Sequence, residues 1–366
     1  MTVVGTRPEL IRLSRVITRL DESFDHVLVH TGQNWDYQLN GVFFEDLSLR
    51  QPDHALDVDT SSLGAVLGDT LRKTERVIQQ ETPDAFLVLG DTNSAISAVM
   101  AKRMRVPVYH MEAGNRCFDE NVPEETNRRL VDHVADFNLV YSEHARRNLL
   151  AEGVHPRRIM HTGSPMREVL EHYRPRIEGS DVLARLDLDS GGYFLVSAHR
   201  QENVDSPARL QALVHCLIRV RDTFNLPVLV STHPRTRLRV EQLQGVMGLR
   251  DINFHMPFGF HDYNHLQLHA RCVLSDSGTI SEESSILRFP AVTLRSSIER
   301  PEALDTGSII TVDLNPESLV AGIEAAIASQ PRTVAPRDYG VENCSIRVRN
   351  FILSTAEQHA SWAGLR

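Results

Sequence analysis

Lysine is almost absent from this chain. Only Lys73 and Lys102 occur, so arginine supplies nearly all the positive charge. Acidic residues outnumber basic ones, and the formal net charge of −9 argues against nucleic acid as the main partner. Cysteine is scarce as well. Cys117, Cys216, Cys272 and Cys344 are scattered without paired spacing, which fits the reduced thiols of a cytoplasm better than a disulfide framework or a zinc site. No apolar run approaches ~18 residues, so no membrane span is expected. The opening "MTVVGTRPE" has no basic region followed by an apolar stretch, the pattern of a secretory leader. There is no G-x-x-x-x-G-K-[ST], which excludes a P-loop. No complete G-x-G-x-x-G follows the first strand, which leaves a dinucleotide cofactor unsupported. The histidines show no H-x-x-x-H or comparable spacing, so no metal is expected. No G-x-S-x-G nucleophile motif occurs either.

What is present is a repeated scheme of short apolar run, turn and amphipathic helix. A chain of 366 residues with 41% hydrophobic content has ample material for two domains. "TVVG" leads into "PELIRLSRVITRL", where Leu10, Leu13, Ile17 and Leu20 share one helical face and Pro8 suits the first turn. "HVLVHTG", "AFLVLGDT", "VPVYHMEAG" and "FNLVYS" are further strand candidates, and "YFLVSAH", "PVLVSTHP", "CVLSDSG" and "AVTLRSS" repeat the scheme in the second half. Alternation of this kind predicts an α/β protein with parallel sheets covered on both faces. Two such halves predict two Rossmann-like, doubly wound domains facing a cleft. The joint is placed in "TGSPMREVLEHYRPRIEGSD", which gives a first domain over residues 1–170 and a second over 171–345.

In doubly wound sheets ligands bind beyond the C-terminal ends of the strands. The unusual polar clusters fall there: "GTRPE", "TGQN", "GDTNS", "MEAGNR", "SAHRQEN", "STHPRTR" and "SDSGTISEE". In "SDSGTISEE", Ser277, Gly278 and Thr279 would present backbone N–H groups and a positive helix end to an anion, with Glu283 one turn on to reach a ribose hydroxyl pair. The bland alternative is an ordinary helix cap. "GTRPE" offers the same geometry, with Arg7 placed to hold a phosphate through two hydrogen bonds. Together they describe a site for a diphosphate. Asp91, Glu112 and Glu124 all lie at strand ends or helix starts of the first half. A carboxylate-rich loop is usually just solvated, but carboxylates that converge push their pKa values apart and leave one able to hold a proton and another able to take one. His199 and His233, at the ends of second-half strands, are candidates to face them.

In order and spacing, "GTRPE", "HTGQN", "GDT", "EAGNR", "PEETNRR", "AHRQEN", "DSGTISEE" and "ERPEALDTG" resemble the UDP-N-acetylglucosamine 2-epimerase family over residues 2 to about 350. The resemblance implies the two-domain arrangement of glycosyltransferase-B enzymes, with residues 346–366 forming a C-terminal helix that packs back on the first domain. It implies Asp91, Glu112, Glu124 and His199 as catalytic residues. Substrate contacts are implied at Arg7, Gln33, Arg116, Arg128, Arg200, Glu202, His233, Ser277, Gly278, Thr279, Glu283 and Arg300. It also implies no cofactor, a UDP-activated 2-acetamido sugar as substrate, and a homodimer. "TGQNWDYQLNGVFFEDL", "EAGNRCFDENVPEETNRRLVDH" and "HRQENVDSP" are most similar to the branch that forms UDP-N-acetyl-L-fucosamine by inverting C2 of UDP-2-acetamido-2,6-dideoxy-L-talose. A 2-epimerase acting on UDP-N-acetylglucosamine, hydrolysing or not, is the alternative, and a nucleotide-sugar sensor is the reading from another class. The usual "EAGLR" is "EAGNR" here and "TGQH" is "TGQNWD", departures near the segment with which some bacterial relatives bind a second, activating sugar nucleotide.

The C2 hydrogen of such a sugar is not next to a carbonyl, so direct deprotonation would be very costly. The resemblance implies a detour. UDP departs from C1, a carboxylate removes the acidified C2 proton to give a 2-acetamidoglycal, a proton returns to the other face, and UDP re-adds. Two faces of C2 call for two acid/base positions.

Overall fold

The structure is a computed structural model, and it describes residues 1–32, 44–198, 201–204, 206–232, 249–295, 297–329 and 334–365, with the backbone alone for 201 and 202. The chain divides into two compact units. One comprises Met1–His172 with Arg337–Arg366, and the other Tyr173–Pro336. Residues 337–345, expected with the second domain, therefore group with the first.

The first unit holds a seven-stranded parallel sheet made of β1 (Thr2–Val4), β2 (Leu28–His30), β3 (His54–Ala55), β4 (Phe86–Leu89), β5 (Val108–Met111), β6 (Phe137–Val140) and β7 (Ile159–His161). Their order across the sheet is β3-β2-β1-β4-β5-β6-β7. The inner strands are buried on both faces, which explains why they read as unbroken apolar runs. Helix Arg7–Asp21 buries Leu10, Leu13, Val16, Ile17 and Leu20, the three-and-four spacing of one helical stripe. The C-terminal helix Cys344–Trp362 belongs to this unit. Its Phe351 meets Phe137 edge-on at 5.2 Å, and its Thr355 hydroxyl lies 2.7 Å from the Tyr109 hydroxyl.

The second unit holds a six-stranded parallel sheet of β8 (Phe194–Ser197), β9 (Val228–Ser231), β10 (Ile252–His255), β11 (Cys272–Ser275), β12 (Ala291–Leu294) and β13 (Ile310–Val312), ordered β10-β9-β8-β11-β12-β13. Phe194, Val196, Val230, Leu274 and Val292 form its core with Leu213 and Leu217 of helix Pro207–Phe224 and Ile323 of helix Pro316–Ser329. In both sheets the order reverses beside the first strand, between β1 and β4 and between β8 and β11. Such switch points are where doubly wound sheets take their ligands. The segments after β1, β4 and β11 are "GTRPE", "GDTNS" and "SDSGTISEE". Among the described residues no helix is long and apolar enough to cross a membrane.

Candidate active site

The turn after β1 is pinned from inside. Gly5 allows the close approach: a Cβ there would lie 2.4 Å from the Thr31 hydroxyl. Arg7 opens the helix and Glu9 closes its first turn. Burial lowers the pKa of the Arg7 guanidinium, although arginine stays charged at neutral pH. Glu9 is 1% exposed. One carboxylate oxygen accepts from the Gly5 N–H (3.0 Å) and the Thr6 hydroxyl (2.7 Å). The other accepts from Thr92 (3.0 Å) and Ser94 (2.5 Å) in the turn after β4. Burial outweighs these four bonds and raises the Glu9 pKa.

β4 ends at Leu89 and Gly90 follows it, with a φ of +70° that suits glycine. Asp91 follows, and its carboxylate meets Arg128 of helix Pro123–Val134 at 2.8 Å from Nε and 2.5 Å from Nη2. β5, the neighbouring strand, ends at Met111, and Glu112 follows it with φ +64°. A glutamate held in the left-handed region stores strain, a state that clusters at functional sites. Its carboxylate pairs with Arg12 of the first helix. Asn115 Nδ2 approaches its other oxygen at 3.5 Å, the edge of hydrogen-bond range. A Cβ on Gly90 would come within 3.1 Å of the same carboxylate. Asp91 and Glu112 thus stand at adjacent strand ends, each faced by its own arginine.

Behind them lies a support layer. Asp132 is fully buried and accepts from the Gly114 N–H (3.1 Å) and from Arg116 (2.7 Å), with His110 Nδ1 2.9 Å away. His110 Nε2 lies 2.8 Å from the Gly90 carbonyl. Arg116, expected to touch substrate, has no exposed side-chain surface. It pairs with Asp132 and, through two nitrogens, with Glu152. Helix Pro123–Val134 separates two adjacent glutamates. Glu124 is exposed in the first turn. Glu125 is buried and accepts from the Cys117 N–H (3.1 Å) and from Arg128 (3.1 Å), bonds that lower its pKa against the opposing effect of burial.

In the second unit, Ser277–Thr279 leads into helix Ile280–Leu287 after β11. The Ser277 N–H donates to the Ser275 hydroxyl (3.1 Å), and the Thr279 N–H to the Ser277 hydroxyl (3.3 Å). Two of the N–H groups expected to face an anion thus already have local acceptors, while the Ser277 and Thr279 hydroxyls lie 2.9 Å apart. Glu283 is nearly buried and accepts from Gln267 at 2.7 Å. Burial first, and the Glu283 charge second, raise the pKa of the Tyr263 phenol nearby. Arg300 is 2% exposed and pairs with the fully buried Glu282 at 3.0 Å. Gln33, His199, Arg200 and His233, and the side chain of Glu202, lie outside the described residues. Among the described residues no cluster of three or more His, Cys, Asp or Glu could hold a metal ion.

The sequence profile of the UDP-N-acetylglucosamine 2-epimerase family matches residues 18–353. The chain belongs to that family. It is an isomerase, as the family's members are. A solved UDP-N-acetylglucosamine 2-epimerase from Rickettsia bellii is 42% identical and superimposes with a TM-score of 0.92 over 98% of this chain and 97% of that one. The Methanocaldococcus jannaschii enzyme, solved in complex with UDP-GlcNAc and UDP, is 32% identical, with a TM-score of 0.90 over 96% and 99%. A UDP-2,3-diacetamido-2,3-dideoxy-D-glucuronate 2-epimerase of Pseudomonas aeruginosa is 32% identical over 96% of this chain and 98% of its own length.

Within this family member, sequence reasoning missed Glu9, Arg12, Asp132 and Glu282. Glu9 had a signal, since Thr6-Arg7-Pro8-Glu9 is a capping-box pattern. Arg12 had none, because its partner Glu112 is 100 residues away.

Proposed function

We propose that the protein inverts C2 of a UDP-2-acetamido-2-deoxy sugar through elimination of UDP, a 2-acetamidoglycal and re-addition, and that it forms UDP-N-acetyl-L-fucosamine from UDP-2-acetamido-2,6-dideoxy-L-talose. The observation that supports the chemistry is the set of unlike carboxylates in one unit. Asp91 and Glu112 are each faced by an arginine at adjacent strand ends, while Glu124 is exposed at a helix start. An arginine-paired glutamate at a strand end and a solvent-facing glutamate at a helix start supply two carboxylates for the two faces of C2. In this reading Glu112 and Glu124 exchange the C2 proton, one on each face. Asp91 supports them, and His199 joins them from the motif "AHRQEN". Arg7 and the helix start at Ser277–Thr279 stabilise the departing diphosphate, through side-chain hydroxyls as well as backbone N–H groups.

The choice of sugar rests on "TGQNWDYQLNGVFFEDL", "EAGNRCFDENVPEETNRRLVDH" and "HRQENVDSP". Incubation with UDP-2-acetamido-2,6-dideoxy-L-talose and with UDP-N-acetylglucosamine, with products read by NMR, tests it. Faster turnover of the 6-deoxy-L-talose substrate, with the UDP–sugar bond intact, is expected. The second reading draws on the ligands named for the M. jannaschii enzyme. A preference for UDP-N-acetylglucosamine would keep the chemistry and replace the sugar. Free sugar with stoichiometric UDP would replace the re-addition step by hydrolysis.

A further inference from the structure

We propose that Glu9 is a positioning residue for the epimerisation, setting the turn that bears Asp91 against the turn that bears Arg7. The inference rests on the proposed roles of those two residues. An ordinary capping-box glutamate sits at the third helical position and reaches back to the start of its own helix. One oxygen of Glu9 does this, through Gly5 and Thr6. A cap alone explains neither the burial of the whole side chain nor the direction of the second oxygen. That oxygen leaves the helix and accepts the Thr92 and Ser94 hydroxyls, 83 and 85 residues further along. These two hydroxyls lie 2.5 Å from each other, so both bonds converge on one point just after Asp91. The seam is tight there, since a Cβ on Gly5 would lie 3.0 Å from the Ser94 Cβ.

The Asp91 turn is held on its other side by helix Pro123–Val134. Asn127 Nδ2 donates to the Asp91 carbonyl at 2.9 Å, and Arg128 holds the carboxylate. Glu9 is thus the counter-tether. Without it the Asp91 turn loses its hydrogen bonds to the Arg7 turn, and a displacement of about 1 Å can lower turnover on the order of 10²-fold. Desolvating a carboxylate is costly without compensation, and here four donors from two turns offset part of that cost.

The test separates the cap from the tether. The double variant Thr92→Val/Ser94→Ala cuts the far arm and leaves the cap intact, while Glu9→Gln alters both. Expected for the far-arm variant, at a temperature where it stays folded, is a kcat at least ~10-fold lower with a UDP Kd within about threefold of wild type, and a melting temperature lowered by the loss of two donors to a buried carboxylate. Glu9→Gln should lower kcat by a similar factor, and the triple variant should be no worse than about threefold below Glu9→Gln, because both changes break one coupling. A far-arm variant with wild-type kcat, or losses that multiply in the triple variant, would reduce Glu9 to a helix cap. If Glu9→Gln does not fold, the far-arm variant decides alone. Wild-type protein that turns over no UDP-sugar would overturn the proposed function instead, whatever the variants do.

Discussion

At the scale of single residues, carboxylates of one chemical type take unlike parts in the proposed route. Glu112→Gln and Glu124→Gln should each lower kcat by at least ~10²-fold, the usual contribution of a general acid or base, and Asp91→Asn by a similar factor through lost positioning of the groups it supports, while UDP still binds within a few-fold of wild type. Arg7→Ala should weaken UDP binding itself. Steady-state kinetics beside calorimetric UDP titration separates the two outcomes, and near-normal kcat in both glutamate variants would remove their assignment. A second prediction concerns His30, which has no exposed surface. Burial lowers its pKa to about 4, against the opposing pull of Asp57. Its Nδ1 accepts from the Gly32 N–H at 3.0 Å, which requires that nitrogen to be unprotonated. The unfolded chain takes up a proton near pH 6.5 and the folded chain only near pH 4. Stability therefore falls as pH drops through that window and levels off below it, by roughly 3 kcal/mol in all. His30→Asn keeps an acceptor for Gly32 and removes the titration. Denaturant unfolding from pH 7 to 4 should show wild type losing about that much more than the variant, and parallel pH curves would contradict it.

At the scale of elements, a strand end is only as well placed as the turn behind it. Gly114 follows Glu112 by two residues, has φ +81°, and a Cβ there would lie 2.3 Å from the Ala145 carbonyl oxygen. Backbone on both sides leaves little room to yield. Gly114→Ala should cost about 3 kcal/mol or more, read as a lower denaturant midpoint at unchanged slope. A midpoint within experimental error of wild type would contradict the packing described. The elements themselves were unevenly legible. Strand candidates were found wherever a strand is covered on both faces. The four that escaped, β3, β7, β10 and β13, are the four sheet edges. They are short and partly exposed, so they present no continuous apolar run to read. Helix Arg7–Asp21 announced itself by its stripe and its proline.

At the scale of the whole molecule, the polar clusters were legible because a doubly wound sheet gathers its chemistry at strand ends. Their partners were not, because pairing depends on which strands become neighbours. Nothing near Glu112 in sequence points to Arg12, and nothing in "PEETNRR" tells exposed Glu124 from Glu125, buried against Arg128. Arg116 and Arg300 stood among the implied substrate contacts, and nothing near them in sequence points to the carboxylates each is buried against. Activity should need neither NAD nor a divalent metal, since the proposed route shuttles a proton through side chains. Turnover lost on exhaustive EDTA treatment and restored by a metal would contradict this.

In the proposed route C2 is inverted by removing and returning its proton. Turnover in D₂O tests it most directly. The epimerised UDP-sugar should carry deuterium at C2, because the group that returns the proton exchanges with solvent, and UDP should not accumulate. Product formed with hydrogen retained at C2 would contradict the account.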